Sequence, residues 1–244
     1  MLAGAIDWAS RFFGTDAALQ KAEQVLRVKL DWTGSRAARR SLLARLQYSV
    51  GGLDLLDYCL YLCDDWDFGD DEARELQGIL HRSGSAWRVA AHPAGRYCLE
   101  QRVDPTVEEA ARSEMAQESN AATYLSSAWH HAYRRDPDPS RSYSDSIKAV
   151  EAAARPVVTP KDQLATLGKM IAAMRDKPQK WGTVIGDVDT VRIMMDTIWK
   201  AQVDRHGTDD PQKPLTVSQS EAEAAVQFAA TLVQLFRTGA IRGI

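Results

Sequence analysis

From Asp104 to its last residue the chain carries only helix signals, in blocks separated by prolines. Val188, Val191, Met194, Met195, Ile198 and Trp199 recur at spacings of three and four. Ala225, Phe228, Ala229, Leu232, Val233 and Phe236 do the same. Residues so spaced share one face of a helix, which turns every ~3.6 residues. Such an apolar stripe has to be buried against another element. Several stripes in succession, with no strand between them, lead to a bundle of helices. The expected helices are 106–133, opened by Asp104 as cap with Pro105 in the first turn, then 142 or 143 to 154, ended by Pro156 and Pro160, then 162–174, 187–203 and 218–236. Residues 182–186 and 207–214 read as loops.

The front of the chain is patterned differently. The first 30 or so residues are weakly periodic, with a short helix over 16–30 that places Ala18, Leu19, Ala22 and Leu26 on one side. A loop over 31–35 leads into a helix over 36–48, with Leu42, Leu43 and Leu46 inside and Arg36, Arg39, Arg40 and Arg45 outside. Those arginines form either a solvated face or a phosphate-binding one. Gly51-Gly52 interrupts the pattern, and 53–63 resumes it as a buried helix. The acidic stretch 64–71 lacks the spaced ligands and closing Glu of a calcium loop, and reads as a solvated cap for a helix over 72–81. Segments 86–89 and 97–103 flank a Pro93-Ala94-Gly95 turn and predict a small hairpin, which must pack on helices to persist. The expected fold is therefore mainly α. An amino-terminal helical region with a hairpin (1–104) precedes a helical domain (105–244) long enough to fold alone.

Hydrophobic residues make up 45% of the 244 residues, enough for a core, and the net charge is −3. A near-neutral chain does not attract RNA by its mean field, so any phosphate site must be a local patch. Three cysteines (Cys59, Cys63 and Cys98) make no paired framework and suit a reducing compartment. Cys59 and Cys63, four apart, read as small core residues. His81 and Cys98 are the nearest further zinc ligands, at no recognisable spacing. The opening residues lack a signal-peptide pattern, and no run approaches the roughly 18 apolar residues of a membrane span. The expected location is cytoplasmic, with no membrane partner. No P-loop, GxGxxG, GxSxG, HExxH or paired CxxC is present, so no cofactor and no metal is expected.

Two segments carry a family likeness. One is Tyr143-Ser144-Asp145-Ser146-Ile147-Lys148-Ala149-Val150-Glu151-Ala152. The other is Ile198-Trp199-Lys200-Ala201-Gln202-Val203-Asp204-Arg205-His206-Gly207, followed by Glu221-Ala222-Glu223-Ala224-Ala225-Val226. With Thr166-Leu167-Gly168 between them, they resemble the HEPN-type domain at the carboxy-terminal end of bacterial abortive-infection proteins, over roughly residues 106–240. The resemblance implies a HEPN-like helical bundle in an antiviral protein, acting as a homodimer and as a metal-independent ribonuclease, with a defence-system protein as a further partner. It implies that His206 is the acid or base and that a cation about a turn earlier holds the phosphate. The family's arginine is absent here. Lys200 keeps the charge without the bidentate fork, Arg205 is the nearest guanidinium, and Gln202 is the nearest amide to the family's asparagine. Helix-stop chemistry is the other reading of Asp204–Gly207. Glu151 would orient His206 or Lys200, or else pair with Lys148 or Arg155 at helical spacing. His130, His131, Arg134 and Arg135, beside Trp129 and Tyr133, form either an RNA-stacking cluster or an amphipathic helix end with its aromatics in the core. The alternatives to a ribonuclease are a HEPN-like module that binds RNA or protein without cleavage, and a helical scaffold.

Overall fold

Two separate apolar cores organise the chain. They divide it into two units, Met1–Arg102 and Val103–Ile244. The computed structural model describes residues 2–63, 69–92, 95, 97–184, 186–203 and 217–244. It is mainly helical, and among the described residues no helix is long and apolar enough to cross a membrane.

In the first unit, α1 (Leu2–Ser10), α2 (Asp16–Val25), α3 (Ser35–Leu43), α4 (Ser49–Cys63) and α5 (Gly69–Arg82) surround Trp8, Phe13, Leu42, Leu55, Leu60 and Leu76. The expected hairpin is present as β1 (Trp87–Ala91) and β2 (Tyr97–Gln101), antiparallel with Val89 opposite Leu99. It is tied to the helices by its own amides. Val89 N–H donates to the Gln77 side chain at 2.7 Å, and Leu99 N–H to Asp57 Oδ1 at 2.6 Å. Cys59 and Cys63 are fully buried on one face of α4, and all three cysteines are free thiols.

Four expectations for this unit need correction, the first being the helix expected over 16–30, which ends at Val25. Residues Leu2–Ser10 are helical despite their weak pattern, because Trp8 and Ala9 anchor a short helix in the core. The 36–48 helix is two pieces, α3 and a 3-10 turn over Ala44–Gln47. Gly51 and Gly52 lie inside α4 rather than breaking it. A Cβ at Gly52 would stand 3.0 Å from Leu46 Cα, so glycine is what lets the preceding turn pack directly on the new helix. Of the basic stripe, Arg39 donates to the Ser10 carbonyl at the end of α1, so it is committed to packing within the unit.

The second unit comprises α6 (Pro105–Met115), α7 (Asn120–Tyr133), α8 (Pro139–Val158), α9 (Leu167–Asp176), β3 (Trp181–Thr183), α10 (Val188–Val203), α11 (Gln219–Arg237) and β4 (Ile241–Gly243). α8 packs along both α7 and α11. Asp104 caps α6 with Pro105 in the first turn, as the sequence predicts. Ser218 and Glu221 form a reciprocal capping box on α11.

The single helix expected over 106–133 is broken. α6 ends at Met115, and Ser119 opens α7 by accepting the Ala122 N–H at 3.1 Å. Pro156 does not end α8. It sits in the last turn, where it costs one i→i−4 bond, and Thr159 N–H still closes on the Arg155 carbonyl. The helix expected from 162 begins only at Leu167. The strands β3 and β4 pair antiparallel, Thr183 opposite Ile241, where only helix and loop signals were read. Strands of three residues are too short to show an alternating pattern. Phe228, expected inside, is 40% exposed.

Candidate functional site

Three side-chain bonds gather four helix ends at one end of the second unit. Tyr143 on α8 donates its hydroxyl to the Ile198 carbonyl of α10 at 2.9 Å. Gln219, in the first turn of α11, donates to the Ala132 carbonyl near the end of α7 at 2.6 Å. Gln227 donates to the Tyr133 hydroxyl at 3.1 Å. The last turn of α7, the start of α8, the last turns of α10 and the start of α11 therefore meet at the same end.

This end carries the basic cluster foreseen on α7, with its members divided between structure and surface. Trp129 and Tyr133 are buried, their ring centroids 4.6 Å apart, so they belong to the core. His130 is also buried, edge-on to His131 at 5.5 Å. His131 is half-buried, and its Nδ1 is screened from water with no hydrogen-bond partner among the described residues. Burial pushes its pKa below the ordinary 6.5, and Arg141 and Arg134 push the same way against the weaker pull of Asp138 and Asp145. Arg134 is partly exposed and bonds the Asp136 carbonyl, and Arg135 is half-buried.

A group not foreseen from the sequence stands beside them. The buried carboxylate of Asp145 accepts the Ser127 hydroxyl at 2.8 Å and the Lys148 ammonium at 2.8 Å, with Arg141 at 3.9 Å. Lys148 also lies 5.8 Å above the Tyr124 ring. Arg141, Asp145 and Lys148 stand at helical spacings of four and three, and that spacing was the available signal. The two cations remain exposed while Asp145 anchors them.

The residues implied by the family resemblance fall as follows. Lys200 is exposed, and its ammonium lies 2.6 Å from Asp196 one turn earlier on α10. Gln202 is on α10, with its side chain outside the described residues. His206 and Arg205 lie outside the described residues, and α10 ends at Val203. Glu151 pairs with neither Lys148 nor Arg155. Its Oε1 accepts the Leu167 N–H at 2.6 Å, at the start of α9. Thr166, the residue before that helix, makes no side-chain cap, so Glu151 from α8 serves the exposed helix end instead. The next residue, Gly168, receives the indole of Trp199. A Cβ there would stand 2.9 Å from three ring atoms. Glu151 is thereby connected to the end of α10 through α9 rather than by direct contact with Lys200.

Chemically, this end offers guanidinium and ammonium groups for phosphate oxygens and a histidine whose pKa is pushed down by burial. Among the described residues no group of three or more His, Cys, Asp and Glu could hold a metal ion. Comparisons of this chain with protein-family models, with curated proteins and with solved structures return no match.

Proposed function

We propose that residues 103–244 form an RNA-acting module of HEPN type, part of a bacterial antiviral, abortive-infection response, which cleaves RNA as a homodimer without metal. The observation that carries this reading is the bond between Tyr143 and Ile198. It brings the last turns of α10, which carry Lys200 three residues before the helix ends, to the end of the bundle that holds Arg134 and Arg141. In this reading His206 takes the proton of an RNA 2′-hydroxyl, and the freed oxygen attacks the adjacent phosphorus. The 5′-oxygen leaves with a proton, giving a cyclic phosphate and a 5′-hydroxyl. Lys200 or Arg205 offsets the charge that develops on the phosphate oxygens. Arg134, Arg141 and Lys148 hold the flanking backbone.

A second reading, a module that binds RNA without cutting it, is favoured by one feature. The Lys200 ammonium is already engaged by Asp196, and it lacks the planar fork that grips a phosphate at two points.

Both readings place RNA at the same end of the bundle. The test is binding of a labelled single-stranded RNA by the His206→Ala protein as salt is raised. Affinity should fall with salt, and Arg134→Ala with Arg141→Ala should flatten that dependence by up to about two contacts. Arg175→Ala, on α9, serves as the control. Binding indifferent to salt, or equally sensitive to Arg175→Ala, contradicts the reading.

A further inference from the structure

The opposite end of the same bundle holds a cavity of about 930 Å³, the volume of a small-molecule site. It lies between the end of α6, the start of α7, the second half of α8 and the end of α11. Its apolar wall includes Ala153, Val157, Val233 and Phe236. Two arginines line it, and their situations differ. Arg237 is spent, because its Nε and Nη2 both bond the Glu114 carboxylate at 2.7 Å, and Glu114 is almost fully buried. Arg155 has no ion-pair partner among the described residues. Its Nη2 reaches the Ala165 carbonyl only at 3.4 Å, and its Nε is shielded from water with no acceptor. Glu118, also in the wall, is exposed to solvent.

A guanidinium that lines a cavity without a carboxylate partner among the described residues is half of a recognition pair. Its complement is a planar or tetrahedral oxyanion that takes two parallel bonds. The apolar wall adds a demand for hydrocarbon or ring surface beside that charge. We infer that this cavity binds a small organic anion, with its carboxylate or phosphate on Arg155 and its apolar or aromatic body against Val157, Val233 and Phe236. The cavity lies at the far end of the bundle from the cationic end that contains Arg134 and Arg141. This inference therefore stands or falls independently of the RNA reading.

The test uses the full chain and two matched probe pairs, 2-naphthoate with 2-naphthylmethanol and adenosine 5′-monophosphate with adenosine. Amide chemical shifts report the site, and titration reports the affinity. At least one anion should shift Ala153, Val233 and Phe236 and bind about tenfold tighter than its neutral partner. Which anion does so distinguishes a carboxylate head from a phosphate head. Arg155→Gln should remove that tenfold preference. Ala153→Phe, which puts a ring into the apolar part of the cavity and leaves Arg155 in place, should weaken binding of all probes. The inference is overturned if neither anion shifts these amides at millimolar concentration, if the neutral partners bind equally well, or if Ala153→Phe leaves binding unchanged in a folded protein.

Discussion

The Tyr143 hydroxyl donates to the Ile198 carbonyl at 2.9 Å across the interface of α8 and α10. This one bond links the serine-rich helix to the helix that carries Lys200. The ring of Tyr143 is buried, so its position is set by packing, and the hydroxyl is placed without loss of further side-chain freedom. At the next residue of α10, Trp199 packs against Gly168 of α9. The end of α10 is therefore held by two helices.

Substitution at that second contact should be costly. Gly168→Ala would put a methyl group 2.9 Å from three atoms of a rigid indole. Trp199 would have to shift, at a cost of about 1 to 3 kcal/mol typical of overpacking. Urea unfolding of wild type and variant measures it. An unchanged midpoint would mean that α9 and α10 do not pack as described.

Glu151 should act on stability through α9. Glu151→Ala removes the acceptor for the Leu167 N–H and should cost about 1 to 2 kcal/mol, whereas Glu151→Gln, which keeps an oxygen acceptor, should cost less than half of that. Amide exchange at Leu167 and Gly168 should quicken in the alanine variant. Equal losses for both variants would show that the carboxylate charge, and not the hydrogen bond, is what matters.

His131 should impose a pH dependence. Its folded pKa is lowered, so the unfolded chain binds the proton more readily. Its contribution to stability is thus complete above the ordinary value of 6.5 and is lost as pH falls from there towards the lower folded value. Unfolding free energies measured between about pH 8 and pH 5 should fall with a shallower slope in His131→Gln than in wild type. Identical slopes would contradict the burial of this ring among Arg134 and Arg141.

The parts legible in the sequence are those where one local rule dominates. Asp104-Pro105 announced its helix, because caps depend on neighbouring residues alone. The hairpin was legible from its flanking β-type residues. The break at Ser119 was not, because the apolar spacing continues across it and only the capping bond reveals the new start. Pro156 and Gly51-Gly52 were read as stops. Packing overrode these signals, through a tolerated last turn in one case and a close backbone approach in the other. At the candidate site, Trp129 and Tyr133 were legible as a spacing-four aromatic pair. The burial of Asp145 was not, because a serine-rich helix gives no hydrophobic sign of which polar residue faces inwards. Nor was the pairing of Glu151 with Leu167, which comes from the way α9 returns against α8.

We propose that this chain cuts RNA without metal, using His206. The most direct measurement is incubation of wild type and His206→Ala with total RNA and end-labelled oligonucleotides in excess chelator, followed by analysis of the product termini. The account predicts fragments with cyclic-phosphate ends from wild type and none from His206→Ala. Intact RNA with both proteins, under conditions where both bind it, would contradict cleavage and leave the binding module as the function of this end of the bundle.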